Sequence, residues 1–566
     1  MQHIESLVES MQLGLHSAHT LRAGMRKHLN YCAPINKLPV ELLRSIFAIC
    51  TAGDLPLGEH QEGGVGHMSL IISHTCTHWR AIVLSFPSLW RRIRLLHLSD
   101  EFLNVILDRT KNWPLEVWLD LPAAPSETLA KINMDVLCRT KALTMTISSH
   151  NDQALTDFLT TSPPSQFPYL ETFSLELVQK GPNMHQTQLV LQQPLFAGCT
   201  PRLRHLHLEG VRMPWNRGFY SNLTTIRIIS CEAGCHVLED NDLCSILQDS
   251  PNLEELELSL YRAHIPVSDP TPSIPHDRQS FPSLRVLKLF CGLGYTWHLL
   301  SSIDVRNLDT LDIHIRDLYP DRFRDALSRG GLLPAHLSAA IAKVRVEISG
   351  RDLEIKFAGV TAAGRTVYTL TWCFVYHPAL GELCALLRGL RTPLRALEVV
   401  SDVFHADAPP ALWAEHPRSF AACLQAPALE ALTLAGDITA VLVPQMLQNA
   451  ALVADAAGWP HLARLNVRAR LEGSAMAHLA AWCAQRPALA LLDLSGTVVH
   501  VRSTANIPAV VNMFQRRRFA VTWTDCQFHD DNADHTIRHP EDLWPHLFGS
   551  SKPRQKSPLQ HVLSSA

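Results

Sequence analysis

The segment Pro282-Ser-Leu284-Arg-Val-Leu287-Lys-Leu289 carries an apolar pattern that returns along most of this chain. A proline is followed, one or two residues later, by a leucine, and apolar residues stand three and five positions after that leucine. The alternation at the end of the phrase predicts a β-strand with one buried face. We expect each copy to form such a strand and to bury its three apolar residues. The copies begin at Pro168, Pro201, Leu223, Pro251, Pro282, Leu308, Pro393, Pro427, Pro460 and Pro487, and those at Leu223 and Leu308 lack the proline.

The phrase resembles the L-x-x-L-x-L core of a leucine-rich repeat. In that family short strands stack side by side into a solenoid, and a helical or irregular segment closes each turn. The first leucines of the copies between Leu170 and Leu308 are 20 to 33 residues apart, whereas such repeats are about 20 to 29 residues long. The resemblance therefore implies a divergent, irregular solenoid. The alternative is a mixed α/β globule in which Pro-x-Leu marks the starts of strands.

The interval from Ile313 to Leu394 contains no clear copy of the phrase. Two of its segments, 342–348 and 366–372, alternate in polarity and are rich in β-branched residues. Both are predicted to be strands, and we expect them to represent two degenerate repeats.

A second apolar pattern lies near the N-terminus, in Ile35-Asn-Lys-Leu-Pro-Val-Glu-Leu-Leu-Arg-Ser-Ile-Phe47. Its spacing predicts an amphipathic helix with Asn36 as its cap, and a second short helix is expected over 76–84. Two helices of about ten residues bury too little surface to form a domain. Their surplus apolar surface therefore predicts docking on another protein. The helical spacing is carried by Leu38, Leu42, Ile46 and Ile49.

These segments are similar to the fungal-type F-box. The resemblance covers about residues 33–95 and departs from a minimal box in a Gly-rich loop over 51–69. Ordinary core helices of a larger globule are the alternative reading. The matching motifs are Leu38-Pro39-x-Glu41-Leu42-Leu43-x-x-Ile46-Phe47, Cys76-x-x-Trp79-Arg80 and Phe86-Pro87-x-Leu89-Trp90.

The F-box resemblance implies a function without catalytic residues. In that family the box binds the Skp-type adaptor of a cullin–RING ubiquitin ligase, and the rest of the chain holds the client protein to be ubiquitinated. The expected role is thus the substrate receptor of an SCF-type ligase, and the alternative is an interaction scaffold that uses the adaptor outside any ligase. The adaptor-binding residues that the resemblance implies are Leu38, Pro39, Leu42, Leu43, Ile46, Phe47 and Trp79.

Client binding is expected on the concave strand face of the solenoid. Residues between the apolar positions of each phrase point outward there, because side chains alternate along a strand. They are mostly charged and differ between copies, which suits recognition better than packing. The candidate residues are Arg204, His205, His207, Glu254, Glu255, Glu257, Arg285 and Lys288.

The expected fold class is α/β, with an N-terminal helical F-box followed by an irregular leucine-rich-repeat-like solenoid. A helical segment is predicted over residues 1–32, the F-box over 33–97, the solenoid over 98–540 and a disordered tail over 541–566.

Composition excludes several classes of partner. The chain has 566 residues, a formal net charge of −3 and an isoelectric point near 6.9, so no charge bias indicates a nucleic acid or an anionic membrane. Its 14 cysteines are scattered, which is typical of a reducing compartment. Since neither a signal peptide nor a membrane span is evident, we expect a cytoplasmic or nuclear protein.

Motif searches predict neither an enzyme nor a cofactor. No hydrolase, metalloprotease or nucleotide-loop motif occurs. His74, Cys76 and His78 alternate in a segment expected to be one helix, where residues two apart do not share a face. Cys231, Cys235 and His236 lack a second ligand pair at zinc-site spacing, so no metal is expected.

Overall fold

The fold is mixed α/β, with a large, mostly parallel sheet and eleven α-helices of described bounds. The chain forms two compact units, one of residues 1–231 and 238–250, the other of residues 232–237 and 251–566. The computed structural model describes, apart from single positions within these ranges, residues 2–52, 68–95, 100–121, 134–147, 153–161, 167–177, 189–212, 221–229, 247–260, 279–315, 332–349, 354–373, 386–390, 393–401, 428–436, 459–501, 507–515, 518–530 and 535–537.

The first unit begins with helices. The predicted N-terminal helical segment is one helix of 31 residues in the structure. Short 3₁₀ turns lie at Pro34–Lys37, Pro87–Trp90 and Leu195–Gly198. The α-helices are α1 (Gln2–Cys32), α2 (Val40–Ala52), α3 (Met68–Thr75), α4 (Thr77–Leu84), α5 (Asp100–Thr110), α6 (Met134–Arg139) and α7 (Gln153–Thr161).

Six strands of the first unit pair in the order of the sequence, every one parallel to the next: β1, β2, β3, β4, β6 and β8. Their apolar residues lie level with one another, so that Val117, Leu143, Phe173, Leu206 and Ile226 form one buried row. A separate parallel pair joins β5 and β7. The strands are β1 (Arg92–Arg94), β2 (Leu115–Leu121), β3 (Thr140–Ile147), β4 (Thr172–Leu177), β5 (Leu189–Val190), β6 (His205–Glu209), β7 (Val211–Arg212) and β8 (Thr225–Ile229).

The second unit has an eleven-strand ladder in the order β9, β11, β13, β16, β15, β14, β17, β18, β19, β21 and β23. These strands are β9 (Glu255–Ser259), β11 (Val286–Cys291), β13 (Thr310–Ile315), β14 (Lys343–Ser349), β15 (Glu354–Val360), β16 (Thr366–Cys373), β17 (Ala396–Ser401), β18 (Ala431–Ala435), β19 (Arg464–Arg468), β21 (Leu491–Asp493) and β23 (Ala520–Thr522).

The described part of the second unit also contains smaller sheets and four α-helices. A parallel pair joins β10 to β12, and β20, β22 and β24 are parallel neighbours with β25 antiparallel at the edge. These elements are β10 (Gln279–Ser280), β12 (Ile303–Asp304), β20 (Arg470–Glu472), β22 (Val498–Val501), β24 (Gln527–Asp530), β25 (His535–Ile537), α8 (Leu293–Ser302), α9 (Ala335–Ala340), α10 (Gly473–Ala484) and α11 (Ile507–Gln515).

The expected burial of the repeated phrase is confirmed in all ten copies. In the copy at Pro282, for example, Leu284, Leu287 and Leu289 are at most 1% exposed. Full burial of a leucine contributes about 1.5–3 kcal/mol, so these rows form the core of both units. The predicted disordered tail, 541–566, lies outside the described residues.

The interval between Ile313 and Leu394 differs from the expected pair of parallel repeats. The strands predicted at 342–348 and 366–372 are confirmed as β14 and β16, but β15 lies between them and is antiparallel to both. The five-residue connection 361–365 explains this arrangement, because parallel neighbours need a crossover of a dozen or more residues. The three strands thus form an inverted insert, which means that they enter the ladder in the reverse of their sequence order. β16 lies beside β13, and β14 lies beside β17.

Gly436 follows β18 at a point where the ladder tolerates no side chain. Its φ is +88°, and an added Cβ would overlap the carbonyl of Ser401. Its N–H donates to the carbonyl of Arg468 at 2.7 Å, which holds the backbone in place. Gly364 has a similar φ of +83° but open space around its Cα.

We predict that Gly436→Ala destabilises the second unit by clearly more than Gly364→Ala. Both variants incur the strain of a left-handed alanine, about 1–2 kcal/mol, but only Gly436→Ala adds a clash with backbone. Thermal unfolding, together with hydrogen exchange in β17 and β18, measures the difference. Equal losses in the two variants would contradict the assigned contact.

Candidate functional site

The helices α2, α3 and α4 share a small apolar core within the first unit. Its members are Leu43 and Phe47 on α2, Ile72 on α3, and Ile82 and Val83 on α4, all at most 5% exposed. The sequence predicted two helices here, whereas the structure has three. The extra helix, α3, supplies a third wall to this core.

Trp90 is the last residue of the 3₁₀ turn Pro87–Trp90 and closes this core. Its indole N–H donates to the carbonyl of Val83 at 3.0 Å, and its side chain is fully buried. The Arg109 guanidinium of α5 lies 4.3 Å from the ring centroid, a favourable cation–π geometry. The tryptophan thereby fixes α4 against α5.

Asn36 does not cap α2, contrary to the sequence-based expectation. It lies in the turn Pro34–Lys37, and its Oδ1 accepts a hydrogen bond from the indole N–H of Trp79 at 2.6 Å. The Trp79 ring in turn packs on Phe47, with centroids 4.9 Å apart. Asn36 therefore positions α4 relative to the start of α2.

Cys76 separates α3 from α4. Its backbone is extended, and its Sγ accepts a hydrogen bond from the Trp79 N–H at the start of α4. His74 and His78 consequently lie on different helices, and the single helix expected across them is wrong.

One side of α2 faces solvent although it is apolar. Leu42, Ile46 and Ile49 are 51%, 36% and 72% exposed, respectively. They are spaced four and three residues apart, which places them on one stripe of the helix. We call these three residues the docking face.

The predicted adaptor-binding residues divide between the docking face and the core. Leu42 and Ile46 belong to the docking face, with Pro39 exposed beside it and Leu38 half-buried. Leu43 and Phe47, which were expected to contact a partner, are 0% and 1% exposed. This is a correction of their expected placement: neighbouring apolar residues on one helix point to different sides, and these two point into the chain's own core.

Trp79 is half-buried between these two groups. Ile49 was part of the predicted apolar stripe but was not assigned to the adaptor, although it continues the helical spacing of Leu42 and Ile46. Sequence reasoning missed three further exposed apolar side chains: Ile35, Ile71 and Leu84. Ile71 was missed because α3 itself was not predicted.

The three helices are tied directly to the strand ladder of their unit. Arg92 of β1 donates to the carbonyl of Thr51 in α2 at 2.9 Å and to the Glu116 carboxylate on β2 at 2.8 Å. Arg91 lies 3.0 Å from the same carboxylate. Because β1 is also a parallel neighbour of β2, the predicted boundary at 97/98 falls after the ladder has already begun.

Three predicted client-binding residues of the second unit, Glu255, Glu257 and Lys288, form an ion-pair network. The Lys288 amine is 2.9 Å from Glu255 Oε1 and 3.4 Å from Glu257 Oε2. Its hydrogen bond with Glu255 raises the pKa of Lys288, so the amine stays charged. Asp312, which sequence reasoning missed, lies level with Lys288 on β13, and burial raises its carboxyl pKa.

Arg204 and Arg285 have a structural role in addition to any binding role. Each is exposed and donates to the backbone carbonyl of an asparagine that precedes the next strand, Asn222 and Asn307 respectively. Each asparagine side chain donates back to a carbonyl of the earlier copy, that of Pro201 or that of Pro282. His205 and Glu254 are exposed on neighbouring positions.

His207 of the first unit lies in a polar cluster across β4 and β6. Its Nδ1 is 3.0 Å from Ser174 Oγ, and its Nε2 is 3.9 Å from Glu209 Oε2. Burial and the neighbouring Glu176 carboxylate raise the pKa of Glu209. Ser174 is only 8% exposed, and its contact with His207 joins the two strands.

Within the described part of the chain, no three His, Cys, Asp or Glu side chains are grouped closely enough to hold a metal ion. Cys231, Cys235 and His236 lie outside it. No helix whose residues are described is both long and apolar enough to cross a membrane.

Comparison with known proteins assigns no family to this chain: no protein-family model matches it, and neither does any curated protein.

Proposed function

We propose that this chain is a substrate-receptor subunit of an SCF-type cullin–RING E3 ubiquitin ligase, in which an F-box docks the Skp-type adaptor. The observation that carries the proposal is the docking face. Leu42, Ile46 and Ile49 remain exposed on a helix that packs through a different side, where Leu43, Phe47 and Thr51 are buried. Complete burial of a fully exposed leucine or isoleucine gains about 1.5–3 kcal/mol, and each of these side chains gains the part of it that corresponds to its exposed fraction. A helix that lies in an apolar groove is a common mode of recognition.

The core of the helices supports the same proposal. Asn36, Phe47 and Trp79 hold α2 and α4 in one fixed arrangement, so the docking face is preorganised. A rigid surface loses little conformational entropy on binding. Residues that the F-box resemblance assigned to the partner therefore act in two ways: Leu42 and Ile46 supply contact area, whereas Leu43 and Phe47 support it from behind.

We further propose that the strand ladders are a leucine-rich-repeat-like solenoid that holds the client. Support comes from the parallel pairing, which follows the order of the sequence outside the insert of β14, β15 and β16, and from the ten buried copies of the phrase. In such an assembly the chain contributes no covalent chemistry. It raises the effective concentration of the client at the ligase, which is a proximity effect.

Affinity purification of the full chain with mass spectrometry tests the ligase assignment. We expect the Skp-type adaptor and a cullin to co-purify with the wild-type chain and to be lost together in a Leu42→Asp/Ile46→Asp variant. Adaptor without cullin would instead establish the scaffold alternative. If neither protein is recovered, the proposed function is wrong.

Client recognition is expected to depend on the Glu255–Lys288–Glu257 network. We predict that reversing Glu254, Glu255 and Glu257 to lysine changes the set of co-purified clients while adaptor binding persists, because the reversal turns a paired surface into a strongly basic one. The control is Glu430→Lys/Glu472→Lys, which adds positive charge at exposed positions of the second unit and leaves this network intact. If the set of co-purified clients is unchanged in the triple variant, this strand face is not the client-binding surface.

A further inference from the structure

The starts of four neighbouring strands in the first unit carry cationic and aromatic side chains. These strands, β2, β3, β4 and β6, are parallel neighbours in that order, so their starts lie along one edge of the ladder. Adjacent strands are about 4.8 Å apart, which gives this edge a length of about 14 Å. We call the following residues the basic rim: Trp113, Arg139, Lys141, Tyr169, Arg202 and Arg204.

Contacts between neighbouring strand starts make the basic rim continuous. Arg139 Nη2 donates to the carbonyl of Trp113 at 3.1 Å, which joins the starts of β3 and β2. The Lys141 amine lies 2.9 Å from the Glu171 carboxylate, which joins the starts of β3 and β4. Glu171 is thus an acidic group in the middle of an otherwise basic and aromatic edge.

The aromatic rings and two of the arginines remain accessible. Trp113 and Tyr169 are 45% and 49% exposed, and Arg202 and Arg204 are exposed as well. The Arg202 guanidinium lies 5.0 Å from the centroid of the Tyr169 ring, and Arg204 donates to the carbonyl of Asn222 at 3.0 Å. Both contacts are with neutral groups, so neither contact neutralises the positive charge of its arginine.

The repeated phrase does not require large side chains at these positions. Tyr169 and Arg202 each lie between the proline and the first leucine of their copy. The copies of the second unit build equally buried strands with smaller or neutral residues at this position, so packing of the phrase does not explain a tyrosine and an arginine in the first unit. The residues of the second unit are Asn252, Ser283, Asn307, Ala428, His461 and Ala488.

Positive charge also predominates at the position that follows the first leucine. In the first unit this position brings Arg204 to the basic rim, beside Arg202. In the second unit the same position carries both signs, so that no edge of one charge results. The charged residues there are Glu254, Arg285, Asp309, Arg395 and Glu430.

We propose that the basic rim binds an acidic peptide segment of a partner protein. A guanidinium matches a carboxylate with two parallel N–H···O bonds, and Trp113 and Tyr169 supply flat apolar surface to the residues between the carboxylates. An extended segment of four or five residues spans the rim at about 3.3 Å per residue. A nucleic acid fits less well, because its backbone carries a phosphate at every nucleotide and would bring negative charge past Glu171. A peptide places an uncharged residue there.

This binding surface adds a second recognition element to the chain. It uses neither the docking face nor the ion-pair network of the second unit, so it holds whether or not the chain acts in a ligase. Arg204 is the residue that the basic rim shares with the predicted client-binding set.

Fluorescence anisotropy with the full chain tests the proposal. The labelled probes are a short peptide in which glutamate alternates with leucine, the same peptide with lysine in place of glutamate, and a single-stranded oligodeoxythymidine of similar length. We expect saturable binding of the acidic peptide alone, weakened by rising ionic strength. Arg202→Glu/Arg204→Glu should raise the Kd of the acidic peptide at least about tenfold, because two attractions become two repulsions.

The matched control is Arg285→Glu/Arg395→Glu, which reverses two exposed arginines that follow the first leucine in second-unit copies and should leave the Kd unchanged. Tyr169→Ser/Arg202→Ser removes a ring and a cation without reversing any charge and should also raise the Kd, while circular dichroism verifies the fold of each variant. Failure of the acidic peptide to bind, binding that survives both rim variants, or tighter binding of the oligonucleotide than of the acidic peptide would overturn the proposal.

Discussion

Replacing Leu42 and Ile46 together with aspartate is expected to abolish adaptor binding without unfolding the chain. Two carboxylates would have to be buried in an apolar interface, at a cost of several kcal/mol. A loss of about 3 kcal/mol corresponds to a rise of roughly a hundredfold in Kd. The fold should survive because both side chains are substantially exposed, and surface changes alter stability by only about 0.5 kcal/mol.

Isothermal titration with purified adaptor measures this effect, and circular dichroism with thermal unfolding verifies the fold. Ala48→Asp is the matched control, because it places a carboxylate on an exposed position of α2 away from the docking face. Adaptor affinity within twofold of wild type for the double variant would exclude this face as the docking surface.

Phe47→Ala is expected to act through the fold and not through the surface. Local structure should be lost, and adaptor binding should be lost as a consequence. Phe47 is 1% exposed and lies 4.9 Å from the Trp79 ring. Removing a buried phenylalanine side chain typically costs about 3–5 kcal/mol. The core that Phe47 shares with Leu43, Ile72 and Ile82 is small, so few other contacts can compensate.

Hydrogen exchange resolves this effect by helix, since protection in α2 and α4 should fall while the strand ladder of the second unit stays protected. Ile49→Ala is the control. The Ile49 side chain is 72% exposed, so the free energy of unfolding of this variant should remain at the wild-type level. Unchanged protection in the Phe47 variant would mean that the helices are held by other contacts.

Together the two variants distinguish residues that contact the partner from residues that hold the helix in place. Helix periodicity alone did not make this distinction. The spacing of Leu42, Leu43, Ile46 and Phe47 predicted a broad apolar stripe, and all four were assigned to a partner. Which half of that stripe is covered depends on α3 and α4, and those helices approach α2 only in the folded chain. Local periodicity determines which side chains share a face, but not what covers that face.

The strand ladders were more accessible to prediction. Each copy of the leucine phrase encodes a strand and its buried side within eight residues, so the local pattern sufficed for β6, β9 and β11 alike. In the structure the buried leucines of one strand lie level with those of the next. This alignment follows from placing one such strand beside another.

The sequence by itself thus determined the strands of the repeated phrase, their buried faces and the helix α2, because each depends on a periodicity carried by neighbouring residues. Only the tertiary structure decided that Asn36 bonds to Trp79, that β14, β15 and β16 form an inverted insert, and that Lys288 bridges Glu255 and Glu257. Those contacts join residues 31 to 43 positions apart, or depend on the order in which strands pair. These contacts form only when residues that are distant in the sequence come close together in space. The local periodicity of the sequence does not encode which distant residues will meet.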